Sequence, residues 1–138
     1  RKRNMLDTNR TEMLKRIGYS TKAINILESN LNIGEIKSPD IYISDEAVCG
    51  DILILYLSIR NDIIEDAKFQ YIGCAGMQLA ASALINLVKG VSLEFAAKIN
   101  TDNVINYLEM VPKQKVECIE FAVATLKKAL AKCRPEIG

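Results

Sequence analysis

The chain has 138 residues, with 18 basic and 17 acidic side chains for a formal charge of +1, four cysteines and no histidine. Without imidazole there can be no Ser-His-Asp triad, no Cys-His pair and no histidine metal ligand. The balanced charge gives no drive toward nucleic acid or an anionic membrane, and no apolar run reaches the ~18 residues a bilayer-spanning helix needs, so neither is expected as a partner.

An apolar content of 49% at this length suits one domain with its own core. The opening Arg1-Lys2-Arg3-Asn4 is basic but lacks the apolar stretch of a signal peptide. Residues 1–8 read as a loose polar tail, and Asn9-x-x-Glu12 as the capping box of a short helix ending before Gly18. Tail and short helix make up residues 1–18, and residues 19–138 the single domain. Ser20 caps a second helix over residues 21–29, where Ala23, Ile24, Ile26 and Leu27 are apolar. Asn32, Gly34 and Ser38-Pro39-Asp40 break the pattern, and Ile41-Tyr42-Ile43 is a short strand.

Residues 52–59 (ILILYLSI) are too short for a buried helix and rich in β-branched and aromatic types, so they read as a covered strand. Asn61-Asp62 makes a tight turn, because both types tolerate positive φ. Residues 63–72 are the return strand, with Ala67, Phe69 and Tyr71 alternating against Asp66, Lys68 and Gln70. Residues 75–89 form a helix with Leu79, Leu84 and Leu87 in the core, ended by Gly90. Short helices follow over residues 93–98 and, capped by Thr101 or Asp102, to about Glu109. The last helix runs from about Lys115 to Cys133, with Val116, Ile119, Val123, Leu126 and Leu130 on one face. Strands first and helices after predict an α+β domain, its helices packed on one face of an antiparallel sheet.

This order places the cysteines. With a two-residue turn, Arg60 opposes Ile63, Cys49 opposes Cys74 and Asp51 opposes Ile72. A different loop length would slip the register by a residue or two. Cys74 stands at a strand-to-helix switch, where unpaired N–H groups and the helix dipole favour a thiolate. If the last helix starts near the hairpin's open end, Cys118 completes a set of Cys49, Asp51, Cys74 and Cys118. Three thiolates and a carboxylate suit zinc or cluster iron. Cys133 lies about 22 Å further along the same helix at 1.5 Å per residue, too far to join. Each cysteine could equally pack as a small hydrophobe, and Asp51 could be a solvated carboxylate. Gly50 and Gly73 make a bulge or tight turn, or leave room for metal, sulfide or a foreign thiol. Four cysteines could also pair as two disulfides in a secreted protein. This core needs no staples, so free thiols in the cytoplasm are expected.

These residues carry a resemblance. From about Tyr19 to about Lys132 the chain resembles the IscU/NifU-type iron–sulfur cluster assembly scaffolds. The resemblance rests on Tyr19-Ser20-x-Lys22, Asn32-x-Gly34, Cys49-Gly50-Asp51, Ile64-Glu65-Asp66-Ala67-Lys68-Phe69 with Gly73-Cys74, Val88-Lys89-Gly90 with Leu93-Glu94, and Lys115-x-x-Cys118. It implies a three-stranded antiparallel sheet with helices on one face, SufE/NifU-like, and the site at one end. It implies a scaffold without turnover of its own. Such a protein takes sulfur from a cysteine desulfurase and iron from a donor, builds a [2Fe–2S] cluster and passes it to apo iron–sulfur proteins. Cys49, Cys74 and Cys118 become ligands, and Asp51 a weak fourth ligand that keeps the cluster labile. Zinc often occupies the same site.

Two departures bear on this. Glu117 stands where the family commonly has histidine, either as an oxygen ligand competing with Asp51 or turned to solvent or the ligands' surroundings; the latter is favoured. The chaperone-binding motif is reduced to Val111-Pro112-Lys113-Gln114-Lys115, so the resemblance does not carry a dedicated chaperone over. A histidine-free Cys-Asp-Cys-Cys set also resembles the SufU branch, zinc-bound sulfur acceptors that stimulate a desulfurase. The stretch from Gly90 to Cys118, however, has the shorter IscU-like length.

Overall fold

The computed structural model describes residues 5–133. In chain order the elements are α1 (Met5–Arg16), α2 (Thr21–Ser29), β1 (Ile41–Glu46), β2 (Ile52–Arg60), β3 (Ile63–Ile72), α3 (Ala75–Val88), α4 (Leu93–Ala97), α5 (Thr101–Leu108) and, after a 3-10 turn at Lys113–Lys115, α6 (Val116–Ala131). The strands form one antiparallel sheet in the order β1-β2-β3.

α1 begins at Met5, so Asn9 lies inside the helix and is not its cap. Met5 and Leu6 are good helix formers and extend it backward. Of the expected loose tail, residues 1–4 lie outside the described residues. α2 is as expected: the Ser20 hydroxyl accepts from the Ala23 N–H at 2.9 Å. At α5 the cap is Asn100 instead of Thr101 or Asp102. Its side chain accepts from the Asn103 N–H while the Asn103 side chain accepts from the Asn100 N–H, a reciprocal pair that fixes the helix start.

The β2–β3 hairpin turns on Asn61 and Asp62, both left-handed at φ 52° and 63°. Arg60 opposes Ile63 as expected, but a bulge follows. Ile59 pairs with Ile64 and Ser58 with Asp66, leaving Glu65 as the extra residue. From there the register is slipped by one, so Ile52 and not Asp51 opposes Ile72. The expected pairing of Cys49 with Cys74 is thereby lost.

Leu53, Leu55 and Leu57 of β2, Ala67 and Phe69 of β3, and Ile41 and Ile43 of β1 make the inner face of the sheet, all buried. The helices cover this face. α3 is buried through most of its circumference, Leu79 and Leu84 included, while Leu87 is half-buried. α6 contributes Ile119, Val123, Leu126 and Leu130, with Val116 half-buried at its start. β2 is thus covered by helices on one face only. On the other, Tyr56 is shielded by its strand neighbours: Tyr42 meets it edge-on at 5.4 Å, and its hydroxyl donates to Gln70 at 2.6 Å. Among the described residues no helix is long and apolar enough to cross a membrane.

Two ties position the chain that carries Cys118. Thr125 and Lys128 of α6 donate to the Asp45 carboxylate of β1 at 2.9 and 3.0 Å. The segment leading into α6 is held from the N-terminal side, where the Ser20 N–H donates to the Met110 carbonyl at 2.9 Å and Gly18 lies against Pro112. A side chain on Gly18 would start 3.4 Å from the Pro112 backbone.

Candidate metal centre

At the end of the sheet opposite the Asn61-Asp62 turn, a cleft of about 720 Å³ opens between the β1–β2 turn, the start of α3 and the start of α6. Cys49 and Asp51 line it from the β1–β2 side, Cys74 from the strand-to-helix switch, and Lys115, Glu117 and Cys118 from the last helix and the turn before it. Met77, Val48 and Phe121 add apolar walls. Slipping the register by one residue leaves all four expected residues on this cleft, because each hangs beyond the paired part of its strand or at a helix start.

The β1–β2 turn closes with the Gly50 N–H donating to the Ala47 carbonyl and the Ala47 N–H to the Asp51 carbonyl, at 2.9 and 2.8 Å. Gly50 sits at φ 97° with open space where a side chain would be, so it serves the turn and not a close approach. Gly73 is crowded: a Cβ there would stand 2.7 Å from the Asp51 carboxylate. Cys49 is exposed at the tip of its turn, and Val48 beside it is fully exposed.

Cys74 is the N-cap of α3. Burial alone would push its thiol up, but the Met77 and Gly76 N–H groups and the Lys115 ammonium, 3.5 Å from the sulfur, together bring its pKa below the ordinary thiol value. This is the helix-terminus effect expected at that position. Cys118 shows the opposite behaviour. Burial, then the charge and hydrogen bond of Cys74, then Asp51 push it up to about 11. Lys115 loses charge preference through burial, but the Cys74, Tyr19 and Cys118 side chains outweigh that and raise its pKa. Tyr19 is buried beside this group; burial and the two sulfurs lift its phenol above the usual value against the pull of Lys115.

The structure therefore brings Cys74, Cys118 and Lys115 into contact and places Cys49, Asp51 and Glu117 on the same cleft. Among the described residues no three Cys, Asp or Glu groups are gathered closely enough to hold an ion as they stand. Glu117 is exposed. Cys133 is half-buried against the core just past the end of α6, fifteen residues beyond Cys118 and away from the cleft, and burial with the charges of Asp40 and Asp62 raises its pKa. Lys115 as the cation on Cys74, Tyr19 behind it and Gly76 beneath both sulfurs were not singled out from sequence. The one signal was a glycine among strong helix formers two residues after Cys74.

An α+β fold with a thiol-and-carboxylate cleft at one end of its sheet defines a recognisable class. Residues 18–136 match the family described as the NifU-like N terminal domain, and the chain belongs to that family. It is 34% identical over 113 residues to the iron-sulfur cluster assembly scaffold protein IscU 1 of Archaeoglobus fulgidus, covering 81% of this chain and 74% of the relative. It is 34% identical over 127 residues to the scaffold protein IscU of Haemophilus influenzae, covering 88% of this chain and 100% of the relative. Among solved structures, a putative SUF-system scaffold protein of Fervidobacterium islandicum aligns with a TM-score of 0.70 and 24% identity, over 83% of this chain and 97% of that one. A NifU-like N-terminal protein of Brucella abortus aligns at 0.69 and 16% identity, over 85% and 94%. These two likenesses bear on the fold.

Proposed function

We propose that this chain is a scaffold, and not an enzyme, on which an iron–sulfur cluster is assembled and from which it is transferred. The observation that carries the reading is the convergence of the Cys74 and Cys118 sulfurs over Gly76, with Asp51 and Cys49 on the facing wall of one cleft. The donor chemistry fits: thiolates are the usual ligands of cluster iron, four to a cluster, and here a carboxylate stands as a harder, weaker fourth beside three. Cys49, exposed on the turn and lining the same cleft, is the third thiolate in this reading. Asp51 keeps the cluster exchangeable, since four thiolates would retain it. Glu117, exposed at the rim, is not a ligand in this reading. Sulfur comes from a cysteine desulfurase, iron from a donor, and a [2Fe–2S] product goes to apo iron–sulfur proteins. Free thiols suit a reducing, cytoplasmic setting. The family membership and the scaffold names of its relatives support the assignment.

A second reading has its own support. The chain has no histidine, and Lys115 holds Cys74 toward the nucleophilic thiolate. Both suit a zinc-bound, SufU-like sulfur acceptor that activates a desulfurase. Anaerobic reconstitution with ferrous iron, cysteine, a desulfurase and a thiol reductant separates the two. The scaffold reading expects [2Fe–2S] absorption and transfer to an apo-ferredoxin. One tightly bound zinc with no cluster absorption under any condition would establish the second reading instead.

A further inference from the structure

Gly76 lies in the first turn of α3, buried, among the strong helix formers Ala75, Met77, Gln78 and Leu79. Its backbone does not need glycine: unlike Gly50, Gly73 and Gly90, it is not in the left-handed region. Glycine inside a helix is destabilising relative to alanine, so a reason must be sought in the space around it. A Cβ on residue 76 would stand 2.7 Å from Cδ of Lys115, 3.2 Å from the Cys118 sulfur and 3.4 Å from the Cys74 sulfur. The first of these is a contact that real Cβ atoms do not make. It falls in the middle of the Lys115 chain, whose ammonium is anchored 3.5 Å from Cys74.

We propose that Gly76 is a positioning residue of this cleft: its missing side chain is the lane along which Lys115 crosses the first turn of α3 to reach the Cys74 sulfur. A methyl at residue 76 closes that lane. The lysine must then swing toward solvent and carry its charge away from Cys74, while the Cys118 sulfur gives by a few tenths of an ångström. The inference deepens the scaffold reading and rests on it for the role of Cys74.

The test reads the charge beside Cys74 in the full chain, metal-free and under anaerobic conditions. The rates at which Cys74 reacts with anionic iodoacetate and neutral iodoacetamide are compared, site by site, by mass spectrometry. An ammonium about 4 Å away favours the anionic reagent by roughly fivefold in water. Gly76→Ala is expected to lose this preference to the same extent as Lys115→Met, and the double variant to lose no more than either, because both remove one contact. A wild-type preference in Gly76→Ala, or a larger loss in the double variant than in Lys115→Met, overturns the proposal. Should Gly76→Ala fail to fold, adding Lys115→Ala must restore folding, since the shortened chain no longer meets the methyl; a double variant that stays unfolded also overturns it. Cluster reconstitution plays no part in these measurements, so their failure leaves the scaffold reading standing.

Discussion

The Asp51 carboxylate fills the space that a side chain on Gly73 would occupy, with a Cβ there only 2.7 Å from its Cγ and from one oxygen. The bulge at Ser58/Ile59 produces this relationship: by slipping the register one residue it ends the β2–β3 ladder at Ile52 and Ile72 and brings Asp51 beside Gly73.

Gly73→Ala should therefore displace Asp51 from the cleft. Overpacking of this kind typically costs ~1–3 kcal/mol, and urea unfolding should show a loss of that order. Asp51→Ala leaves Gly73 uncrowded, so it should keep near-normal stability and slow cluster transfer to an apo-ferredoxin. Faster transfer from the Asp51 variant would contradict the proposal that Asp51 is the weak ligand.

Metal binding should separate Cys74 and Cys118 from Cys133. Cys74→Ala and Cys118→Ala are expected to abolish tight zinc or iron binding, and Cys133→Ala to leave it intact. Elemental analysis of anaerobically purified variants measures this. Loss of metal in the Cys133 variant would contradict the assignment, because that thiol lies just past the end of α6, fifteen residues beyond Cys118 and away from the cleft.

In the metal-free protein the two contacting thiols should react in a fixed order. Cys74 is held toward the thiolate, so it should be alkylated below the pH at which an ordinary thiol reacts. Cys118, raised by burial and by its sulfur neighbour, should need a higher pH than Cys74. Lys115→Met should move the Cys74 profile to higher pH. Equal profiles for the two cysteines would rule out the proposed electrostatics.

Asp45 joins β1 to α6, and a pH dependence follows. Burial raises its pKa, but the hydrogen bonds from Lys128 and Thr125 and the lysine charge outweigh that, so the folded value lies below the usual one. A depressed carboxylate contributes stability above its unfolded pKa of ~3.9 and loses it as the pH falls through the folded value. Asp45→Asn should thus destabilise the protein by about 1–3 kcal/mol near neutrality, with the difference from wild type shrinking in acid. Thermal melts at pH 7 and pH 3 test the sign; an undiminished difference at pH 3 would refute it.

Local chemistry determined much that was legible in the sequence alone. Asn61-Asp62 specifies a two-residue turn because both side chains accept positive φ, and Ser20 specifies a helix start because its hydroxyl satisfies an orphan N–H. The 3-4 spacing from Ile119 to Leu130 specifies the face α6 buries, and Cys74 after Gly73 announces a thiol at a helix N-terminus. The tertiary structure decided what depends on groups distant in the chain. The bulge at Glu65 is a compromise between two strands, and it moved Asp51 from Ile72 to Gly73. No local pattern signals that Lys115 passes over Gly76 to Cys74, because those residues meet only when α3 and α6 pack together. The opposite behaviour of Cys74 and Cys118 has the same origin: burial and a shared neighbour, which no single stretch of sequence contains, decide which thiol gives up its proton first.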